Sequence, residues 1–445
     1  MRQICPTEIL TFVTWISSEG HWPCRGLFYG MILPRYSWER IQTMAHLPLA
    51  GITVVEVGQL LAGPFTGTML AYFGARVIKV EPPGEGDPIR GWRLLDDSGT
   101  SYWWRSLGRN KESITLDLRS KAGRHILSEL LAQADVVIEN FKPGTMEKWG
   151  LGPQDLESAN PGLIYARISG YGQHGPNSHK PGYASVTEAF SGFRYLNGFP
   201  GEPPVRPNLS LGDSIAGIHA VVGILLALQA RQKDGQGQVI DVALYEAMFN
   251  LMEAVVPEFS AVGAIREPAG STITGIVPTN TYLCRDGKHV VIGANGESIY
   301  RRLMHAIDRA DLADDPRLQG NPGRVKHQQL LDGAIAAWTD QHDAGEVITI
   351  LEQADVPVGP IYNIEDAFND PHYQARALFE NVSIPAGAGQ PELDLSLPAI
   401  LPKLGRTPGS TRWPGGAIGS HTQTVLSELG YAEEDQQRLR DQGII

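Results

Sequence analysis

The sequence predicts an α/β protein: a large domain of Rossmann-like type, with a doubly wound parallel sheet, and a smaller α+β domain inserted into it. Three observations predict this. Short β-branched runs alternate with helical stretches from Gly51 to Ala243, the pattern of βαβ units and a parallel sheet. A stretch rich in Gly, Pro and Thr, from Gly263 to Pro278, interrupts the alternation and reads as a linker. A chain of 445 residues exceeds one ordinary core, so two domains are expected.

The first strand is Ile52-Thr53-Val54-Val55-Glu56-Val57, ending at Gly58. A helix-like segment with small residues follows from Ala62 to Leu70, then a second strand from Arg76 to Glu81. Ser113 to Leu118 gives a third strand, and Lys121 to Ala134 an amphipathic helix with Ile126, Leu127, Leu130 and Leu131 on one face. Asp135–Asn140, Leu163–Ile168 and Val239–Leu244 are the fourth, fifth and sixth strands, and Tyr245 to Val255 a helix. In the smaller domain, Asn280 to Gly293 forms a hairpin about the Asp286-Gly287 turn. Helices follow near Ser298–Asp308, Gln328–Thr339 and Gly345–Gln353. The tail from Gly419 reads as two short helices returning to the large domain, with His421 at the start of the first.

Residues 1 to 45 carry Trp15, Trp22, Trp38, Cys5 and Cys24 without helical or strand period. They are expected to stand outside the fold, disordered or as an upstream mis-start before Met44. The expected domains are therefore 46–255 with 375–445 for the large one and 256–374 for linkers and the small one. A net charge of −12 argues against nucleic acid and against anionic membranes. Three cysteines, Cys5, Cys24 and Cys284, are too few and scattered for a disulfide framework or zinc site. A reducing cytoplasm fits.

A ligand is expected at the carboxyl ends of the strands. No G-x-G-x-x-G follows the first strand and no Walker motif occurs, which excludes the usual dinucleotide and ATP sites. Gln59, Arg119, the run Asn140-Phe141-Lys142-Pro143-Gly144, Lys148 and Ser169-Gly170-Tyr171-Gly172 lie there instead. Taken together, Arg119, Lys142 and Lys148 could hold phosphates, with Phe141 and Tyr171 against an adenine or pantetheine arm.

Asp213 is the sole carboxylate between Arg206 and Arg231, at the head of an apolar run, His219 to Leu228, too short to span a membrane. Two readings stand. As a helix N-cap it would accept hydrogen bonds from the first free N–H groups. As a carboxylate kept ionised by the helix N-terminus in poor solvent, it could attack a carbonyl.

These motifs together resemble the class III CoA-transferases, the CaiB/BaiF family that includes formyl-CoA transferase. The resemblance covers about Leu47 to Ile445. It is carried by Ala62-Gly63-Pro64, Gly74 to Glu81, Gly86-Asp87, Arg109-Asn110-Lys111, Glu139 to Gly144, Ser169 to Gly172, Gly212-Asp213-Ser214, Gly235 to Gln238 and Gly419-Ser420-His421-Thr422. It implies a large domain built from both chain ends, a small inserted domain, and two chains interlocked as a homodimer. It implies coenzyme A as acyl-CoA substrate, no metal, and Asp213 as a nucleophile that passes through an acyl anhydride and an aspartyl-CoA thioester. By position it implies Gln59, Leu61 and Ala62 at the CoA thiol end and Leu116 with Arg119 on the adenosine side. Asn140 and Phe141 would touch CoA, Lys148 a phosphate, and Tyr171 would lie beside the nucleophile.

Pro82 stands where formyl-CoA transferase has a basic contact, and that enzyme's glycine-only loop has no counterpart, which points away from the oxalate/formyl pair. Gly275-Ile276-Val277-Pro278 and Pro204-Val205-Arg206-Pro207 are similar to the succinyl-CoA:dicarboxylate branch, which acts on glutarate, citramalate or itaconate. Arg206 would then suit an acceptor's distal carboxylate. Two alternatives remain at this level. One is an α-methylacyl-CoA racemase-like enzyme, in which Tyr183 would replace the second base, a histidine. The other is a non-catalytic CoA-binding homologue in which Asp213 only caps.

Overall fold

The computed structural model describes residues 47–385 and 392–445. The expected extension at 1–45 and the start at Met44 lie outside the described residues. Six strands, β1 (Thr53–Glu56), β2 (Arg76–Glu81), β3 (Lys111–Thr115), β4 (Val136–Glu139), β5 (Ile164–Ser169) and β6 (Val239–Ala243), form one sheet in the order β3-β2-β1-β4-β5-β6. Every neighbouring pair is parallel. Side chains alternate across such a sheet, and here each face sends apolar residues into a core. Val54, Val77, Val136, Ile138, Ile164 and Ala166 enter one core, while Val55, Val57, Ile78, Val80, Ile114 and Val137 enter another.

Helices cover both faces. In chain order they include α1 (Ala62–Tyr72), α2 (Lys121–Leu131), α3 (Ala184–Phe190), α4 (Leu211–Asp234) and α5 (Leu244–Phe249). Leu70 and Ala71 of α1 and Ala216, Ala220, Ile224 and Ala227 of α4 fill the first core. Ile126, Leu127, Leu130 and Leu131 of α2 fill the second, the face expected from their spacing. Ser120 caps α2 by accepting the Gly123 N–H. At 24 residues, α4 is long and apolar enough to cross a bilayer, which corrects the shorter apolar segment expected at 219–228. Its small-residue face is nonetheless in the core against the sheet.

The helix expected across Tyr245–Val255 ends at Phe249, Glu253 takes a positive φ of 42°, and a separate helix α6 (Val255–Val262) follows. Beyond the expected linker, β7 (Thr279–Leu283) and β8 (His289–Gly293) pair about Gly287, whose φ is +77°. With α7 (Glu297–Ala306), α8 (Gln328–Thr339) and α9 (Ala344–Gln353), they enclose a core of their own that includes Tyr282, Val290, Ile292, Leu303, Leu331 and Val347. A third strand, β9 (Val358–Pro360), joins β8; three residues ending in proline give too little signal to read as a strand.

A second hairpin, β10 (Phe379–Ile384) with β11 (Leu393–Pro398), was not expected, although Leu393, Leu395 and Leu397 show period two. Glu380 of β10 ties it to α1 and to the stretch before β3, accepting from Tyr72 Oη at 2.6 Å and facing Arg109 Nη1 at 3.5 Å. The tail then returns to the six-stranded sheet as α10 (Thr422–Glu428) and α11 (Glu433–Asp441). The Thr115 N–H donates to Thr422 Oγ1 at 2.9 Å, and the Asp117 N–H to the Ile444 carbonyl at 2.7 Å.

Candidate active site

Strand order reverses between β1 and β4, so the loops leaving those two strands diverge and open a crevice at the carboxyl edge. The β1 loop is held there by side chains from elsewhere. Asn140, just after β4, brackets the Gln59 backbone, accepting from its N–H and donating to its carbonyl, both at 2.7 Å. A Cβ on Gly58 would lie 2.9 Å from Asn140 Oδ1, which is why glycine stands there. Leu60 takes a left-handed φ of 67° and donates its N–H to Asp87 at 3.1 Å.

Beneath the loop lies a buried charge network. Lys79 pairs with Asp87 at 2.8 Å and Glu56 at 3.2 Å, and donates to the Gly58 carbonyl. Lys111 pairs with Glu56 at 2.8 Å and donates to the Pro64 carbonyl at 2.6 Å. Arg90 grips Glu81 through two nitrogens, each at 2.7 Å. Three cations balance three anions, as buried charges require. Lys79, Glu81, Asp87 and Lys111, which helped carry the family resemblance, thus set the shape of the loop.

Above the loop is a cavity of about 390 Å³ lined by Gln59, Leu61, Ala62, Asn140, Phe141, Lys142 and Asp213. A second, of about 360 Å³, is lined by Leu116, Arg119 and Trp149. Gln59 and Phe141 line both, so the two adjoin. Eight of the expected site residues and Asp213 therefore flank one continuous stretch of the crevice. Arg119 projects into solvent and pairs with Asp117 at 2.8 Å. Phe141 packs edge-on to Trp149 at 5.3 Å.

Asp213 is not an N-cap. Ser210 holds that position, and Asp213 lies in the first turn of α4. Its carboxylate makes no hydrogen bond to any described residue. Burial pushes its pKa up to about 6, the Glu188 charge adds to this, and Arg206 pulls the other way. Glu188, on α3, is buried and accepts the Gly212 N–H at 3.1 Å.

Three expected residues line neither cavity. Lys148 ends a one-turn helix, Thr145–Lys148, on the surface, so Arg119, Lys142 and Lys148 do not converge on one point. Tyr171 sits one layer behind the first cavity, in an aromatic group with Phe190 at 5.3 Å and Tyr245 at 6.2 Å, against Gly182 of the wall. Arg206 lies 3.9 Å from Glu188. Lys180 and the Trp92 and Trp103 wall of the cavity, and Glu188 beside Asp213, were not expected from the sequence. The tryptophans fall in a stretch without strand or helix period, and Glu188 meets Asp213 only through the contact of α3 with α4.

Residues 49–422 match the family model described as CoA-transferase family III. The chain is 43% identical over 400 residues to succinyl-CoA–D-citramalate CoA-transferase of Chloroflexus aurantiacus, covering 89% of this chain and 98% of that one. It is 40% identical over 403 residues to the succinyl-CoA–L-malate CoA-transferase alpha subunit of the same organism, covering 90% and 93%. A crystal structure of a CaiB/BaiF family protein from Brucella suis superposes with a TM-score of 0.76 at 30% identity, covering 86% of this chain and all of that one. With a parallel six-stranded sheet of matching fold and a family match running from before β1 into α10, the chain belongs to CoA-transferase family III.

Proposed function

We propose that this family III CoA-transferase moves CoA from succinyl-CoA to a short dicarboxylic acid, with Asp213 as the nucleophile. The observation that carries this is the Asp213 carboxylate, on the cavity wall without a hydrogen bond to any described residue. The names of the two Chloroflexus relatives support the donor and the acceptor class.

An Asp213 oxygen attacks the thioester carbonyl carbon; a C–O bond forms, the C–S bond breaks, and CoA leaves as thiolate. The thiolate attacks the Asp213 carbonyl of the anhydride, giving aspartyl-CoA thioester and releasing the donor acid as carboxylate. The acceptor carboxylate then attacks that thioester, and the thiolate released attacks the acceptor's own carbonyl, restoring Asp213. Each step exchanges one carboxylate or thiolate for another, so the sequence needs no net proton and no metal. CoA would lie along the two adjoining cavities, its thiol end by Gln59, Leu61, Ala62 and Asp213 and its adenosine end by Leu116 and Arg119. Asn140 and Phe141 would lie between, with Lys142 and Lys148 towards the phosphates. Tyr171 would back the wall beside the nucleophile, and Arg206 would take the acceptor's far carboxylate.

Racemisation needs a base on each face of the α-carbon. No histidine lines the cavity among the described residues, and Tyr183 lines the wall where that base is expected. A panel of acceptors with succinyl-CoA as donor tests the reading. Citramalate, malate or glutarate should accept CoA; acceptance by monocarboxylates alone, or α-deuteration of a 2-methylacyl-CoA in deuterated water without any acceptor, would overturn it.

The proposal extends to an interlocked homodimer in the cytoplasm, with a large domain from 46–255 and 375–445 and a small one within 256–374. The separate core around Tyr282 and Leu331 supports the division, and the exposed apolar residues of α4 support the dimer. Light scattering at a single-chain mass would contradict it.

A further inference from the structure

The geometry points to Glu188 as the positioning residue for Asp213: it caps the first turn of α4 from a different helix and sets a like charge beside the Asp213 carboxylate, which lies on the cavity wall without a hydrogen bond to any described residue. This rests on the reading of Asp213 as nucleophile. An acidic side chain at the third position of a helix ordinarily folds back onto the N-cap N–H. Asp213 holds that position after Ser210, Leu211 and Gly212, yet makes no such bond, and Ser210 caps nothing with its own side chain. The Gly212 N–H, which an N-cap side chain such as that of Ser210 would ordinarily accept, goes to Glu188 Oε1 at 3.1 Å.

Glu188 is 1% exposed, so its charge has to be met inside the protein. Its other oxygen faces Arg194 Nη2 at 3.1 Å and, more loosely, Arg206 Nε at 3.9 Å. Close approach of α3 requires the glycine before the nucleophile: a Cβ at position 212 would lie 3.2 Å from Glu188 Cγ and 3.3 Å from Ala184 Cβ. The groups facing Asp213 are thus Glu188 from α3 and Arg206 from the loop before α4, with Lys142, Lys180 and Tyr183 on the cavity wall. Glu188 raises the proton affinity of Asp213 and Arg206 lowers it. A carboxylate that its surroundings stabilise less is the stronger nucleophile once ionised.

The experiment is the pH profile of kcat/KM for succinyl-CoA, with D-citramalate as acceptor, in the full chain and in Glu188→Gln and Arg206→Gln. Glu188→Gln keeps an oxygen for the Gly212 N–H and removes the charge, so its acid limb should move down by about 1 pH unit or more. Arg206→Gln, at an exposed residue, should move the limb up, and this arm stands if Glu188→Gln fails to fold. Limbs that stay at the wild-type position in the folded variants, with activity merely lower, would leave Glu188 a structural residue and overturn the inference. Asp213→Ala run alongside separates the two claims: if it keeps exchange activity the nucleophile itself is wrong, whereas an inactive Asp213→Ala with unmoved limbs sinks only the role of Glu188.

Discussion

Asp213 is an acid whose surroundings disfavour its charge. Its pKa is raised from 3.8 to about 6, first by burial and then by Glu188. A raised carboxylate pKa means the folded protein holds a proton that the unfolded chain has already lost between about 3.8 and 6. Ionisation at neutral pH therefore costs folding stability, and that cost falls on the group proposed to react. For activity the sign is equally definite: below about pH 6 the nucleophile is protonated, so kcat/KM should fall about tenfold per pH unit on the acid side. A profile flat down to about pH 4.5 would show an ordinary, solvated aspartate instead. As a candidate, Asp213 stood out in the sequence because no other carboxylate lies near it in the chain. The place of Asp213 in the first turn of α4, with Ser210 at the N-cap, was not legible, since the Gly212 N–H is met by Glu188, a residue on another helix.

Among the elements, the six strands of the main sheet were legible because each carries β-branched residues that pack into a core, although β6 is largely exposed and β3 opens on Lys111 and Glu112. The strands missed are β9, short and ending in Pro360, and the hairpin of β10 and β11, whose exposed positions dilute its alternation. Helix α4 shows a further face. Ile218, Val222, Leu225 and Leu226 fall on one side of it at helical spacing and are exposed, opposite the small residues that meet the sheet. A large exposed apolar stripe on a helix marks a contact surface, and a second copy of the chain is its proposed occupant. Leu226→Glu should then weaken the dimer, shifting the mass by light scattering towards one chain at low micromolar protein. An unchanged mass, whether of one chain or two, would remove this stripe from the interface.

At the scale of the whole molecule, sheet order places the crevice, a neutral buried charge network fixes the loop beneath it, and two adjoining cavities give it the length for an extended ligand. The alternation of strands and helices foretold the crevice. The charge network was hidden because Glu56, Lys79, Asp87 and Lys111 come from separate segments that only the folded sheet brings together. The proposed transfer turns on a covalent step at one side chain, and the most direct measurement is mass spectrometry of the protein mixed with succinyl-CoA alone. A CoA-sized mass increase is expected on the peptide carrying Asp213, removed by hydroxylamine and absent in Asp213→Ala. Exchange activity with no adduct on that peptide under rapid quenching, or the same adduct in Asp213→Ala, would contradict it.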